Sequence, residues 1–102
     1  MIIKAPTKNL YEVLVIIKPN LSDSELEKNL SQLESSIKNY GGSIVKTEEP
    51  IRRKFTHPIK GFKDGYYLSV LFNSPPELPA TLKRTLSISD YILRSIVVRK
   101  GS

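Results

Sequence analysis

Residues 10–17 read LYEVLVII, an apolar run interrupted by a single acid, Glu12. Eight residues rich in valine and isoleucine suit a strand, because branched side chains pack well on a pleated surface. Side chains alternate along a strand. Tyr11, Val13, Val15 and Ile17 therefore share one face, and Glu12, Leu14, Ile16 and Lys18 share the other. Apolar residues on both faces predict a central strand.

Lys18-Pro19-Asn20 ends this strand, and Ser22 follows as a helix cap with Glu25 as its reciprocal partner. Leu26, Leu30, Leu33, Ile37 and Tyr40 then recur at helical spacing and form one core-facing stripe. Gly41-Gly42 stops the helix. Ser43 to Glu49 is a more polar strand, placed at an edge by its charges and by Pro50, and it can continue through Arg53. Gly65 to Phe72, GYYLSVLF, is a second central strand, with Tyr66, Leu68, Val70 and Phe72 on one face. The prolines after Ser74 open a second helix whose buried side is Leu78, Leu82 and Leu86. Tyr91 to Arg99 is the last strand, an edge by virtue of Arg94 and Arg99. Residues 1–9 lack any period and read as a flexible arm. Residues 10–100 make one domain.

Strand, helix, strand, strand, helix, strand is the split βαβ arrangement, an α+β, ferredoxin-like βαββαβ fold. Right-handed crossovers give a four-stranded antiparallel sheet in the order 4-1-3-2, with both helices on one face. Tyr11, Val13, Val15 and Ile17 meet those helices. The opposite face carries Leu14, Ile16, Tyr67 and Leu71, an apolar patch of the kind that marks a protein partner.

The 102-residue chain carries a net charge of +6, unevenly spread. Ser22 to Tyr40 is mildly acidic, whereas Pro50 to Lys63 holds Arg52, Arg53, Lys54, Lys60 and Lys63 with no acid. His57, Phe55 and Phe62 interleave with these bases, and Pro58, Gly61 and Gly65 break the stretch into a bent arm. A cationic arm with interspersed rings suits a polyanion such as RNA. The chain has no cysteine, which excludes disulfides and thiol chemistry. No apolar run reaches the roughly 20 residues of a membrane-spanning helix, and the first residues are too polar for a secretory signal.

Several pieces, in order and at matching spacings, resemble the bacterial and organellar small-subunit ribosomal protein "S six" family. They are Tyr11-Glu12-Val13, Lys18-Pro19-Asn20-Leu21, Asn39-Tyr40-Gly41-Gly42 and Lys46-Thr47-Glu48, then Arg53 to Lys60 with Gly65-Tyr66, and finally Leu86 to Asp90 with Arg94 and Val97-Val98. His57 stands where that family usually has tyrosine, and Phe55 where it has leucine. The resemblance implies a structural constituent of the small ribosomal subunit, in a bacterial cytoplasm or a plastid stroma. It implies binding to the central domain of small-subunit rRNA, paired with small-subunit ribosomal protein eighteen. The expected RNA-binding residues are Arg52, Arg53, Lys54, His57, Lys60 and Lys63, with Lys8, Arg94 and Arg99 in support. The expected protein-partner face is Leu14, Ile16, Tyr67 and Leu71. No cofactor, metal, membrane or small-molecule substrate is called for.

Three other readings stay open from the residues. A free-standing RNA-recognition module of the same topology stacks bases on aromatics of strands one and three, but the open face of strand one offers none. A small-molecule-binding regulatory domain has no ligand motif here. An acyl-phosphate hydrolase needs positioned acid–base groups, and His57 is the only histidine, without a paired carboxylate.

Overall fold

The structure is a computed structural model that describes residues 8–101. Its elements are β1 (Asn9–Ile17), α1 (Asp23–Asn39), β2 (Ser43–Ile59), β3 (Phe62–Ser74), α2 (Leu78–Ser87) and β4 (Ile92–Gly101). The strands form one antiparallel sheet in the order β2-β3-β1-β4, the expected ferredoxin-like arrangement. Most of the expected N-terminal arm lies outside the described residues. Asn9 already belongs to β1, paired with Ser74.

α1 starts as its sequence dictates. The Glu25 amide donates to Ser22 Oγ at 3.2 Å, and the Ser22 amide donates to Glu25 Oε1 at 3.3 Å. Each bond satisfies an N–H that the helix itself leaves unpaired. At the other end Gly41 takes φ +92°. Its amide reaches the Lys38 carbonyl, and the Gly42 amide reaches that of Ile37. This pairing closes the last turn, and glycine adopts the left-handed conformation without a Cβ penalty. Leu26, Leu33 and Ile37 are buried as expected. Tyr40 is not, with 48% of its surface exposed, because the helix terminates on it and the stripe ends one turn early.

The core lies between the helices and one sheet face. Tyr11, Val13, Val15 and Ile17 of β1 sit opposite Phe72, Val70, Leu68 and Tyr66 of β3. Leu78, Leu82 and Leu86 of α2 close over them. Each fully buried aliphatic side chain contributes about 1.5–3 kcal/mol. α2 tolerates Pro79 because it falls in the first turn, where a missing N–H costs nothing.

β2 differs from expectation. It runs beyond even the expected continuation through Arg53, 17 residues in all, to Ile59. Its pairing with β3 shifts between Ile44 and Lys46, between Glu48 and Ile51, and between Lys54 and Ile59. Pro50 falls in the second irregularity and Pro58 in the third. Proline lacks an amide to give the ladder, so on an edge strand it fits where the ladder is already interrupted. The basic stretch is therefore a continuation of the sheet, a long β2–β3 hairpin. Gly65 lies inside β3 and breaks nothing.

Candidate nucleic-acid and protein interface

The hairpin turns at Lys60-Gly61, between the paired residues Ile59 and Phe62. Both turn residues have positive φ, 49° for Lys60 and 84° for Gly61. A two-residue turn of this hand matches the twist of its flanking strands. For lysine the conformation is costly, about 1–2 kcal/mol. Lys60→Asn is therefore expected to stabilise the fold by roughly 0.5–1 kcal/mol while removing the charge at the tip, since asparagine visits this region more readily. Chemical denaturation of the two proteins checks this, and a less stable asparagine variant would count against a strained tip.

Register with β3 sorts the hairpin's side chains. Arg52 pairs with Tyr66 and Lys54 with Asp64, on the helix-side face. Arg53 pairs with Gly65 and lies on the open face with Tyr67, its guanidinium 6.0 Å from the centre of the Tyr67 ring. Arg52 is not a free cation. Its Nη2 and Nε both donate to Asp64 Oδ2, at 3.0 and 3.2 Å, and this contact raises its pKa above the ordinary arginine value. The stretch from Pro50 to Lys63 itself has no acid, but Asp64, just beyond Lys63, reaches back across the hairpin. Among the described residues Arg53, Lys54, Lys60 and Lys63 form no ion pair.

The supporting cations separate. Arg94 sits opposite Ile16 on the open face, beside the hairpin root. Arg99 is in register with Tyr11, towards the other end of β1, on the helix-side face. Lys8 precedes β1 at that same far end. At about 3.3 Å per residue, six or more positions separate both from the hairpin by roughly 20 Å. They do not join its charge cluster.

The open face has no helix over it. Leu14 lies between Ser69 and Ile96, and Leu71 lies opposite Glu12. Both are half-buried, as is Tyr67. Ile51, Ile96 and Val98 extend the apolar surface, each with 43–50% of its area exposed. None of the three was expected there, because each lies on an edge strand whose parity only the register settles. Glu12 is fastened within this face. Ser69 Oγ donates to it at 3.0 Å, and Lys100 Nζ approaches its other oxygen at 3.4 Å.

Ile16 is a correction to the expected partner face. It keeps only 5% of its surface exposed. The hairpin root folds onto this end of the sheet, and the Phe55 ring packs 6.1 Å from the Tyr67 ring. Phe55 and Ile16 close together over Gly65, where no side chain intervenes. Phe55, visible in the sequence only as one of the rings interleaved with the bases, is thus a further site residue that was not expected on this face. A strand read through to residue 55 would have placed it on the open face, two positions from Arg53.

Fold and surfaces together define a class: a small ferredoxin-like α+β domain with one bare apolar sheet face and a cationic hairpin at its end. The family described as Ribosomal protein S6 matches residues 10–99, and the chain belongs to that family. The small ribosomal subunit protein bS6 of Elusimicrobium minutum is 38% identical over 88 residues, covering 86% of this chain and 85% of its own length. The bS6 protein of Acidobacterium capsulatum is 34% identical over 89 residues, and the match spans 63% of its length. Among solved structures, the 30S ribosomal protein S6 of Thermotoga maritima superposes with a TM-score of 0.87 at 27% identity, over 92% of this chain and 89% of that one. These relatives are proteins of the small ribosomal subunit.

Proposed function

We propose that this chain is a structural constituent of the small ribosomal subunit that joins rRNA to a second ribosomal protein. The hairpin cations Arg53, Lys54, Lys60 and Lys63 contact the phosphates of the central domain, with Arg94 beside them. Arg52 holds the hairpin's shape through Asp64. The open face, centred on Leu14 and Leu71, docks small-subunit ribosomal protein eighteen. The observation that carries this reading is the bare apolar face contiguous with a hairpin whose cations outnumber its acids. Phosphate contacts of this kind give affinity and position with little base readout.

Recovery of the tagged chain in small subunits, or with protein eighteen, tests the reading as a whole. Leu14→Gln tests the face. It leaves the helix-side core untouched, and it is expected to weaken the pair about tenfold, the worth of one buried leucine side chain. Isothermal titration measures it. Unchanged affinity would move the docking site elsewhere.

A further inference from the structure

We propose that the groove at the hairpin root holds a single unpaired nucleotide of the bound RNA, a site that rests on the rRNA reading above. The groove has a volume of about 350 Å³. Ile16 and Tyr67 form its floor, Phe55, His57 and Pro58 one wall, and Arg94 the other. The third irregularity of β2 shapes it. Residues 55–58 span the gap between the Lys54–Asp64 and Ile59–Phe62 pairs, where β3 supplies only Lys63. Thr56 and His57, in this surplus chain, are exposed and line the groove.

The lining chemistry selects the occupant. Two aromatic rings and an imidazole offer π-faces on which a base stacks regardless of its identity. Two guanidiniums flank them, Arg94 in the wall and Arg53 over the Tyr67 ring. No carboxylate lines the groove. A flat ring attached to an anion is the repeating unit of nucleic acid. An apolar protein anchor would use the rings and leave the guanidiniums unanswered. Two other grooves among the described residues differ in kind. The one between α1 and β2 is rimmed by Asp23, Glu27, Glu48 and Glu49, which repel phosphate. The one between the helices has Lys28 as its only charged residue and a wall of hydroxyl and amide groups. The nucleotide must be unpaired, because a duplex keeps its bases stacked inside and A-form grooves present mainly backbone.

The test compares the full-length protein's affinity for a uridine oligoribonucleotide of about eight residues with that for an RNA duplex of the same length, at fixed salt. The single strand is expected to bind more tightly. Phe55→Leu keeps the wall filled but removes the ring, and His57→Ala alters an exposed residue that the fold does not need. Each is expected to lower single-strand affinity about 5- to 20-fold while leaving the duplex nearly unaffected, in line with base stacking on an aromatic. Thermal denaturation verifies that both variants fold. Equal losses on the two RNAs, or no preference for the single strand, overturn the proposal. Lys54→Gln with Lys63→Gln separates its failure from that of the wider reading. If that pair weakens both RNAs while Phe55→Leu and His57→Ala change neither, the hairpin still binds phosphate and the nucleotide groove is wrong. If none of the variants matters, both readings fail. If Phe55→Leu weakens only the binding of ribosomal protein eighteen, the groove is a protein anchor and the proposal is overturned.

Discussion

Replacing Arg53, Lys54, Lys60 and Lys63 together by glutamine is expected to flatten the salt dependence of rRNA binding by about 3 to 4 in log–log slope, because each neutralised phosphate contributes a little under one. Between 50 and 200 mM salt a slope of that size is worth roughly a hundredfold in affinity, so the variant's disadvantage should be largest in dilute buffer and shrink as salt is added. The four residues are chosen because they make no ion pair among the described residues and because all are exposed. Arg52→Gln is the informative companion. It removes the cation that holds Asp64 across the hairpin, so it acts on hairpin geometry more than on phosphate count. Titrations with central-domain rRNA at several salt concentrations measure both. An unaltered slope in the fourfold variant would remove the hairpin from the RNA interface.

The second large effect is on stability. Gly65→Ala is expected to destabilise the protein by about 2–3 kcal/mol, the upper part of the range for overpacking a filled site. A Cβ at this position would lie 2.6 Å from the Ile17 carbonyl oxygen and 2.9 Å from Phe55 Cζ. The ring can swing away, but the carbonyl belongs to the central strand and cannot. For a domain of this size the loss corresponds to a fall in Tm of roughly 10–20 °C. Coupling Gly65→Ala to Phe55→Ala should recover the part due to the ring and leave the part due to the backbone, so the double variant loses less than the sum of the singles. Thermal unfolding of the three variants gives the cycle. Strict additivity would show that the ring does not press on this site. The same geometry explains why the hairpin stays seated on the sheet: without a side chain at Gly65, Phe55 descends onto Tyr67 and Ile16.

Much of the architecture was legible residue by residue. The apolar alternation of 10–17 placed β1 at the centre of the sheet, and its odd-numbered side chains do form the floor of the core. Ser22 and Glu25 marked the start of α1, and Gly41-Gly42 its end. These signals are local, set by the period of a single element and by the backbone groups that its ends leave unpaired, so they survive without knowledge of neighbours. The candidate site was less legible. The charge of the hairpin could be counted, but not which cation would meet Asp64. The apolar face could be drawn from β1 and β3, but not Ile51, Ile96 or Val98, nor the loss of Ile16 beneath Phe55.

For Ile51 and the hairpin the reason lies in β2, whereas Ile96 and Val98 lie on β4, whose faces only its register with β1 settles. Three interruptions of the pairing of β2 with β3 each carry surplus residues, and each resets which side chains point to which face. After such a reset, alternation within the strand no longer predicts orientation, and only the hydrogen-bonded neighbour does. Residue order alone thus sufficed for the number, kind and sequence of the elements, and for the core they share. The partition of the cations between two faces, the salt bridge that holds Arg52 and the groove walled by Phe55, His57 and Arg94 arise from cross-strand register, a property of pairs of strands that neither strand encodes by itself.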